Sequence, residues 1–120
     1  QSPEDLLNHE CVSFMGLETW EFKSADGPIS IKTKNRLRVD DGEAARVACL
    51  DGLGISYCSL WCCYEQLRKG ELVQVLEDYP LVSDTDIWFV YPSSRMLAPK
   101  VRTFIDFFAD RFGNLPYWDN

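Results

Sequence analysis

The side chains in this sequence most suited to chemistry are five cysteines, Cys11, Cys49, Cys58, Cys62 and Cys63, and a single histidine, His9. A thiolate is both a nucleophile and a soft metal ligand, so the crowding of Cys58, Cys62 and Cys63 raises two chemistries, oxidant sensing and capture of a soft metal. There is no Cys-x-x-Cys pair, and the spacing does not offer the four sulfur or nitrogen donors of a closed zinc site. The odd count also lacks the pattern of a secreted disulfide scaffold, and the plain reading is reduced, mostly buried thiols in a cytosolic protein. On a helix, Cys58 and Cys62 would share a face and Cys63 would point elsewhere. The sequence places Cys58 in a strand, which weakens even that geometry. A Cys–His nucleophile pair would need His9 beside a thiol and a third, orienting group that nothing in the sequence supplies. With no Gly-rich phosphate loop and no His-x-x-x-His, the chain is expected to have no catalytic residues, no metal and no cofactor, and not to be an enzyme.

A second kind of site is suggested by Asp40-Asp41-Gly42, which follows a strand and precedes a helix. Backbone N–H groups at such a turn attract a carboxylate or sulfate, and ligands of α/β sheets sit at the carboxyl ends of parallel strands. The plain alternative is that Asp40, with Glu43 three residues on, caps the helix; a capping loop can also line a cleft. Two carboxylates oppose a strongly anionic ligand there. Phe14 and Tyr91, each ending an apolar stretch, are further candidate contacts, although such residues are more often core.

The elements that must position these groups are legible from periodicity. Ser2 reads as the cap of a short helix reaching Asn8, followed by strands over Glu10–Phe14 and Thr19–Lys23 and a turn at Asp26-Gly27-Pro28. From Ile29 to Val39 apolar and basic residues alternate, with an interruption near Asn35, predicting a strand that shows Lys32, Lys34, Arg36 and Arg38 to water. Asp40 opens a helix with Ala44, Val47 and Ala48 inward, ended by Gly52. Leu53–Cys58 reads as a buried strand entered through Gly54. Ser59 caps a helix through Lys69, which Gly70 terminates. Leu72–Leu76 and Ile87–Tyr91 read as strands on either side of a polar connection, Asp78–Asp86. A last helix spans Pro99–Phe112, with Val101, Phe104, Ile105, Phe108 and Phe112 on one stripe. Strands interleaved with helices predict an α/β three-layer sandwich with a mixed, partly parallel sheet.

Composition narrows the function. The 120 residues suffice for one domain, or a subdomain plus an appendage, and carry 19 acidic against 12 basic residues for a net charge of −7. That balance opposes a phosphate-gripping surface. No apolar run approaches the ~20 residues of a membrane span, and Gln1-Ser2-Pro3-Glu4-Asp5 is unlike a signal peptide, so a cytoplasmic location is expected.

In order, Leu7-x-His9-Glu10-Cys11-Val12, Trp20-Glu21-Phe22, Leu37-x-Val39-Asp40-Asp41-Gly42-Glu43-Ala44, Gly52-Leu53-Gly54-Ile55, Leu67-x-x-Gly70-x-Leu72-Val73-x-Val75-Leu76, and Val90-Tyr91-Pro92 with Pro99-Lys100-Val101-Arg102-x-Phe104-Ile105-Asp106-Phe107 resemble the regulatory domain of LysR-type transcriptional regulators. The resemblance covers about Leu7 to Phe112. It implies a lobe built like periplasmic binding proteins, with residues 1–92 as the second lobe of the effector-binding domain. Residues 93–120 would be connector, C-terminal helix of the first lobe, and tail. It implies a small-molecule effector held between lobes, with Asp40-Asp41-Gly42 on that cleft and Tyr91 at the crossover. It further implies a homo-oligomer, DNA contact only through an N-terminal helix-turn-helix outside this sequence, and a last helix whose stripe packs on the first lobe. In this chain, five apolar side chains on that stripe are costly to leave in water, so the helix is expected to dock on a second copy. The cluster Cys58, Cys62, Cys63 and the tail Tyr117-Trp118 depart from the family pattern. A thiol-based redox or soft-metal sensor using those three cysteines is the alternative function.

At net −7, the chain by itself is expected to show no salt-sensitive binding to duplex DNA at moderate ionic strength. A fluorescence-anisotropy titration checks this. Micromolar binding that disappears when Lys32, Lys34, Arg36 and Arg38 become glutamine would contradict it.

Overall fold

The run Cys11-Val12-Ser13-Phe14 forms β1 (Cys11–Phe14) of the computed structural model, which describes residues 2–83, 89–91 and 98–113. Two parallel neighbours flank it, β4 (Asn35–Val39) and β5 (Ile55–Ser56), in the order β4-β1-β5. Parallel sheets are covered on both faces, and Cys11, Val12 and Ser13 are each fully buried. The one hydroxyl among them is satisfied locally: Ser13 Oγ donates to the carbonyl of Leu17 at 3.2 Å.

A separate antiparallel ribbon joins β2 (Thr19–Phe22) to β3 (Ile29–Lys32), with Trp20 opposite Ile31 and Phe22 opposite Ile29. Its inward residues Trp20, Phe22 and Ile31 pack with Cys11 and with Leu6, which comes from a short 3-10 helix over Pro3–Asn8. Burying each of these larger side chains contributes about 1.5–3 kcal/mol. The chain is thus α/β with both parallel and antiparallel pairing, carried by different sheets.

The single strand expected over Ile29–Val39 is two. At Thr33 the chain leaves the ribbon: its N–H and its hydroxyl both donate to the carbonyl of Glu18, at 2.8 and 2.9 Å. The N–H of Cys11 then takes the carbonyl of Lys34 and starts the parallel ladder. Register slips once more, since Cys11 faces Asn35 while Val12 faces Leu37, leaving Arg36 as an extra residue. The alternation visible in the sequence therefore serves two different partners. Of its basic residues, Lys34 pairs with Glu10 at 2.7 Å and Arg38 pairs with Glu18.

Helix α1 (Gly42–Leu50) follows β4 and packs on β1, β4 and β5. Its buried residues are Ala45 and Ala48, whereas Val47, expected inward, is exposed. Over a strand whose own side chains are fully covered, a methyl side chain allows a closer approach than a β-branched one. Helix α2 (Leu60–Lys69) ends at Gly70, whose φ of 72° and N–H bond to the carbonyl of Leu67 form the expected left-handed cap.

Two strand expectations change. The apolar run Leu53–Cys58 yields only Ile55–Ser56 as strand, because β1 offers pairing partners only at Cys11 and Val12. Leu72–Leu76 is not a strand; its alternation finds no ladder partner among the described residues, and Val73 is 79% exposed. The free edge of β2 is used instead by the next segment, through a Phe22–Leu81 bridge and the bonds of Lys23 N–H to Pro80 and of Val82 N–H to Glu21. Part of the expected strand Ile87–Tyr91 lies outside the described residues, and Phe89–Tyr91 is not strand. The Ser93–Ala98 connector, save Ala98, and the Tyr117-Trp118 tail also lie outside them.

The chain divides into two compact units, Gln1–Ser83 and Asp84–Asn120. In the second, α3 (Pro99–Phe112) has no buried residue. Its stripe gathers around Phe89, whose ring centroid lies 6.3 Å from those of Phe104 and Phe108.

Gly54 sets how closely β5 approaches β1. Its φ is +152°, and a β-carbon there would meet the carbonyl oxygen of Glu10 at 2.4 Å, the oxygen that accepts from the N–H of Ile55. Backbone cannot yield as a side-chain tip can, so Gly54→Ala should destabilise by at least about 2 kcal/mol. A urea-unfolding midpoint equal to that of the wild type would contradict this.

Candidate functional site

The parallel register brings the carboxyl ends of three strands to one edge. Phe14 pairs with Val39, and the N–H of Met15 donates to the carbonyl of Val39 at 2.8 Å, so Asp40 follows directly beside the end of β1. On the other side Val12 pairs with Ser56, so Tyr57, Cys58 and Ser59 leave β5 at this same edge and lead into α2. Phe14 and Asp40-Asp41-Gly42 are thereby brought together. Tyr91 belongs to the second unit and is exposed.

The cap of α1 is Asp41, not Asp40: Asp41 Oδ1 accepts from the N–H of Ala44 at 2.8 Å. An N-cap must have extended backbone while the next residue is already helical. Helix begins at Gly42, so Glu43 stands two residues after the cap, one short of the position a capping box needs. Asp40 is left exposed at the lip of the edge. Ser59 holds the N-cap position of α2, but its side chain makes no capping bond, contrary to expectation. Gly42 is small for a reason of packing: a β-carbon there would lie 3.1 Å from the sulfur of Cys62.

The thiols assemble differently from the sequence reading. Cys58 is not in the strand but in the turn between β5 and α2, and it interacts with both Cys63 and Cys62. Its hydrogen bond with Cys63, then burial, pushes the Cys58 thiol far up. The same hydrogen bond holds Cys63 down to about 7 against its burial, helped by backbone and by the Arg46 guanidinium. The Cys63 thiol donates to the carbonyl of Ser59 at 3.4 Å, and the Cys62 thiol donates to Glu43 Oε1 at 3.9 Å. Burial raises Cys62, with the Glu43 charge adding to it, and burial raises Cys49 and Cys11. Among the described residues, no three His, Cys, Asp or Glu side chains are arranged to hold a metal ion.

A cavity of about 480 Å³ opens beside this cluster. Arg46, Cys49, Cys58 and Cys63 line one side, and Leu67, Leu72, Leu76, Tyr79 and Leu81 are among the residues of its apolar remainder. Arg46 pairs with Glu43, and its Nε is buried without a hydrogen-bond partner. Neither Arg46 nor Glu43 was singled out from sequence as part of a site. The available signal was their i, i+3 spacing, with Cys49 three residues further along the same helix.

A lobe of this kind, a parallel sheet whose carboxyl edge carries helix N-termini, is an α/β ligand-binding architecture; the cavity is lined by none of Phe14, Asp40, Asp41 and Gly42. The family model described as the LysR substrate binding domain matches residues 1–113, and the chain belongs to that family. It is 35% identical over 99 residues to the HTH-type transcriptional regulator DmlR of Escherichia coli K12, covering 79% of this chain and 32% of that protein. It is 31% identical over 113 residues to the HTH-type transcriptional activator TtdR of the same organism, covering 91% and 36%. The regulatory domain of AphB in Vibrio vulnificus superposes with a TM-score of 0.72 at 29% identity, over 88% of this chain and 53% of that one. The chain spans about a third of the length of these curated relatives. The relatives are regulators, and the family is not one of enzymes.

The two aspartates should separate in a stability measurement. Asp41→Ala removes the bond to Ala44 and should cost about 1 kcal/mol, whereas Asp40→Ala should stay within about 0.5 kcal/mol of wild type. Thermal unfolding of both variants checks this; the reverse order would return the cap to Asp40.

Proposed function

We propose that this chain is the effector-sensing part of a LysR-type transcriptional regulator. A small molecule binds at the carboxyl edge of β1 and β4, against Phe14 and Asp40-Asp41-Gly42, and its binding controls transcription. On this reading residues 1–92 are the second lobe and residues 93–120 carry the connector, the last helix of the first lobe and the tail. Tyr91, at the crossover, is a further candidate effector contact. The apolar stripe of α3 serves assembly with the first lobe or with a second copy. DNA is held by a helix-turn-helix outside this sequence, and the protein works in the cytoplasm. Among the described residues, no helix is long and apolar enough to cross a membrane.

The observation that carries the site is the Phe14–Val39 pairing, which sets an aromatic ring and the first turn of α1 at one strand edge. An aromatic side chain offers apolar contact, and the N-terminal N–H groups of α1 offer donors. Asp41 already occupies the N–H of Ala44, and Asp40 adds a second negative charge. These carboxylates favour a polar effector of low negative charge over a polyanion.

A thermal-shift screen of the chain together with its first lobe against small metabolites, repeated with Asp40→Ala, tests this. A compound that raises the wild-type melting temperature should bind the variant at least about tenfold more weakly, a loss of about 1.4 kcal/mol. An unchanged affinity would remove the loop from the site.

A further inference from the structure

We propose that the cavity beside α1, β5 and α2 is a second small-molecule site, separate from the effector edge, that takes an apolar molecule carrying a single carboxylate.

The cavity has the size and the walls of a binding site. Its volume of about 480 Å³ falls within the range of roughly 300–1,000 Å³ that small-molecule pockets occupy. All of its lining lies within the first unit, between Phe22 and Leu81. The space follows from the topology. β5 is an outer strand of its sheet, and Leu72–Leu76 makes no ladder among the described residues, so two runs that do not pair border the same volume. The wall beyond β5 is held in place by the core. The N–H of Tyr79 donates to the carbonyl of Leu76 at 2.9 Å, and Leu76, Tyr79 and Leu81 pack against the cluster of Trp20 and Phe22. A wall already in place spares a ligand the cost of ordering it. Yet Leu67, Leu72, Leu76 and Leu81 are only half-buried. An apolar body in the cavity removes that surface from water, which is the driving force for entry.

One group selects the head of that molecule. Among the described residues that line the cavity, Arg46 is the one cation, and its ion-pair partner Glu43 is not part of the lining. The pair therefore presents its positive member to the cavity. Arg46 Nε is buried and has no hydrogen-bond partner among the described residues, so the guanidinium keeps donor capacity that Glu43 does not use. A carboxylate matches the planar fork of a guanidinium better than a hydroxyl or an amide does. Glu71 and Glu77 also belong to the lining and are exposed, and they oppose a second negative charge on the ligand. An apolar monocarboxylate satisfies all three conditions. Its head competes with Glu43, a residue of the first turn of α1, for the same guanidinium.

The test is a titration of the methyl-labelled 120-residue chain with octanoate, followed by NMR. Methyl signals of Leu67, Leu72 and Leu76 should shift along one saturable curve, while those of Leu17 and Leu37, outside the lining, stay in place. 1-Octanol, with the same chain and no charge, should bind at least about tenfold more weakly, and octylammonium more weakly still. Arg46→Gln should cost octanoate at least about tenfold while leaving 1-octanol within about twofold, a split that mere loss of packing does not produce. Arg46→Lys should retain more octanoate affinity than Arg46→Gln. Arg36→Gln, which removes an exposed cation of β4, should leave octanoate affinity unchanged. Leu72→Trp fills the cavity from a residue outside every helix and strand, and should weaken octanoate and 1-octanol alike. The comparison of the three probes on wild type decides the matter even if Arg46→Gln fails to fold. Absence of saturable shifts, shifts centred outside the lining, 1-octanol binding as tightly as octanoate, or a folded Arg46→Gln that keeps octanoate affinity would overturn the proposal. Phe14 and Asp40-Asp41-Gly42 line no part of the cavity, so none of these outcomes bears on the effector edge.

Discussion

The parallel pairing of β1 on both edges is the constraint from which the rest follows. A parallel strand cannot be reached by a tight hairpin, so each neighbour arrives after a long excursion: the β2–β3 ribbon before β4, and α1 before β5. The excursions must cover what β1 cannot show to water. The ribbon supplies Trp20, Phe22 and Ile31 around Cys11, and α1 supplies the small side chains Ala45 and Ala48. The same pairing aligns the exits of all three strands, so helix starts and turns collect at one edge. Phe14, the aspartates and the thiols are close neighbours because of backbone register, before any side chain contributes.

Electrostatics at that edge depends on one cation. Arg46 is half-buried, paired with Glu43, and adjacent to the thiols, lowering Cys62 and Cys63 while Glu43 raises Cys62. A buried guanidinium with one unpaired N–H is costly to hold unless negative charge lies nearby. The Glu43 carboxylate is such a charge, one turn away on the same helix. The arrangement is therefore a set, Glu43 and Arg46 on α1 with Cys62 and Cys63 on α2.

Much of this was legible in the sequence because much of it is local. Helix ends at Gly52 and Gly70, the ribbon's Trp20 and Phe22, and the strand-to-helix loop at Asp40–Gly42 follow from glycine's left-handed φ, from two-residue alternation and from capping chemistry. Order and spacing of those pieces carried the LysR family, which the match over residues 1–113 establishes. What failed was anything decided by a partner distant in sequence. Ile29–Val39 alternates throughout, yet which strand each half joins depends on Glu18 and Cys11. Leu72–Leu76 alternates too, but no described strand edge was left for it. The cap shifted from Asp40 to Asp41 by one residue, a change of phase that spacing alone does not fix. Cys58, expected at the end of a strand, lies in the turn after it, because β5 stops at Ser56 where β1 offers no further partner.

The contact between Gly42 and Cys62 ties the proposed effector loop to α2. Interiors pack densely enough that a displacement at one face of a contact is passed on rather than absorbed. Gly42 is the first residue of α1, beside the proposed effector loop, and Cys62 stands in the first turn of α2. At 3.1 Å from a β-carbon position, the sulfur leaves room for glycine alone without yielding. A ligand that shifts the start of α1 must then move against Cys62, so α2 feels what binds at the loop.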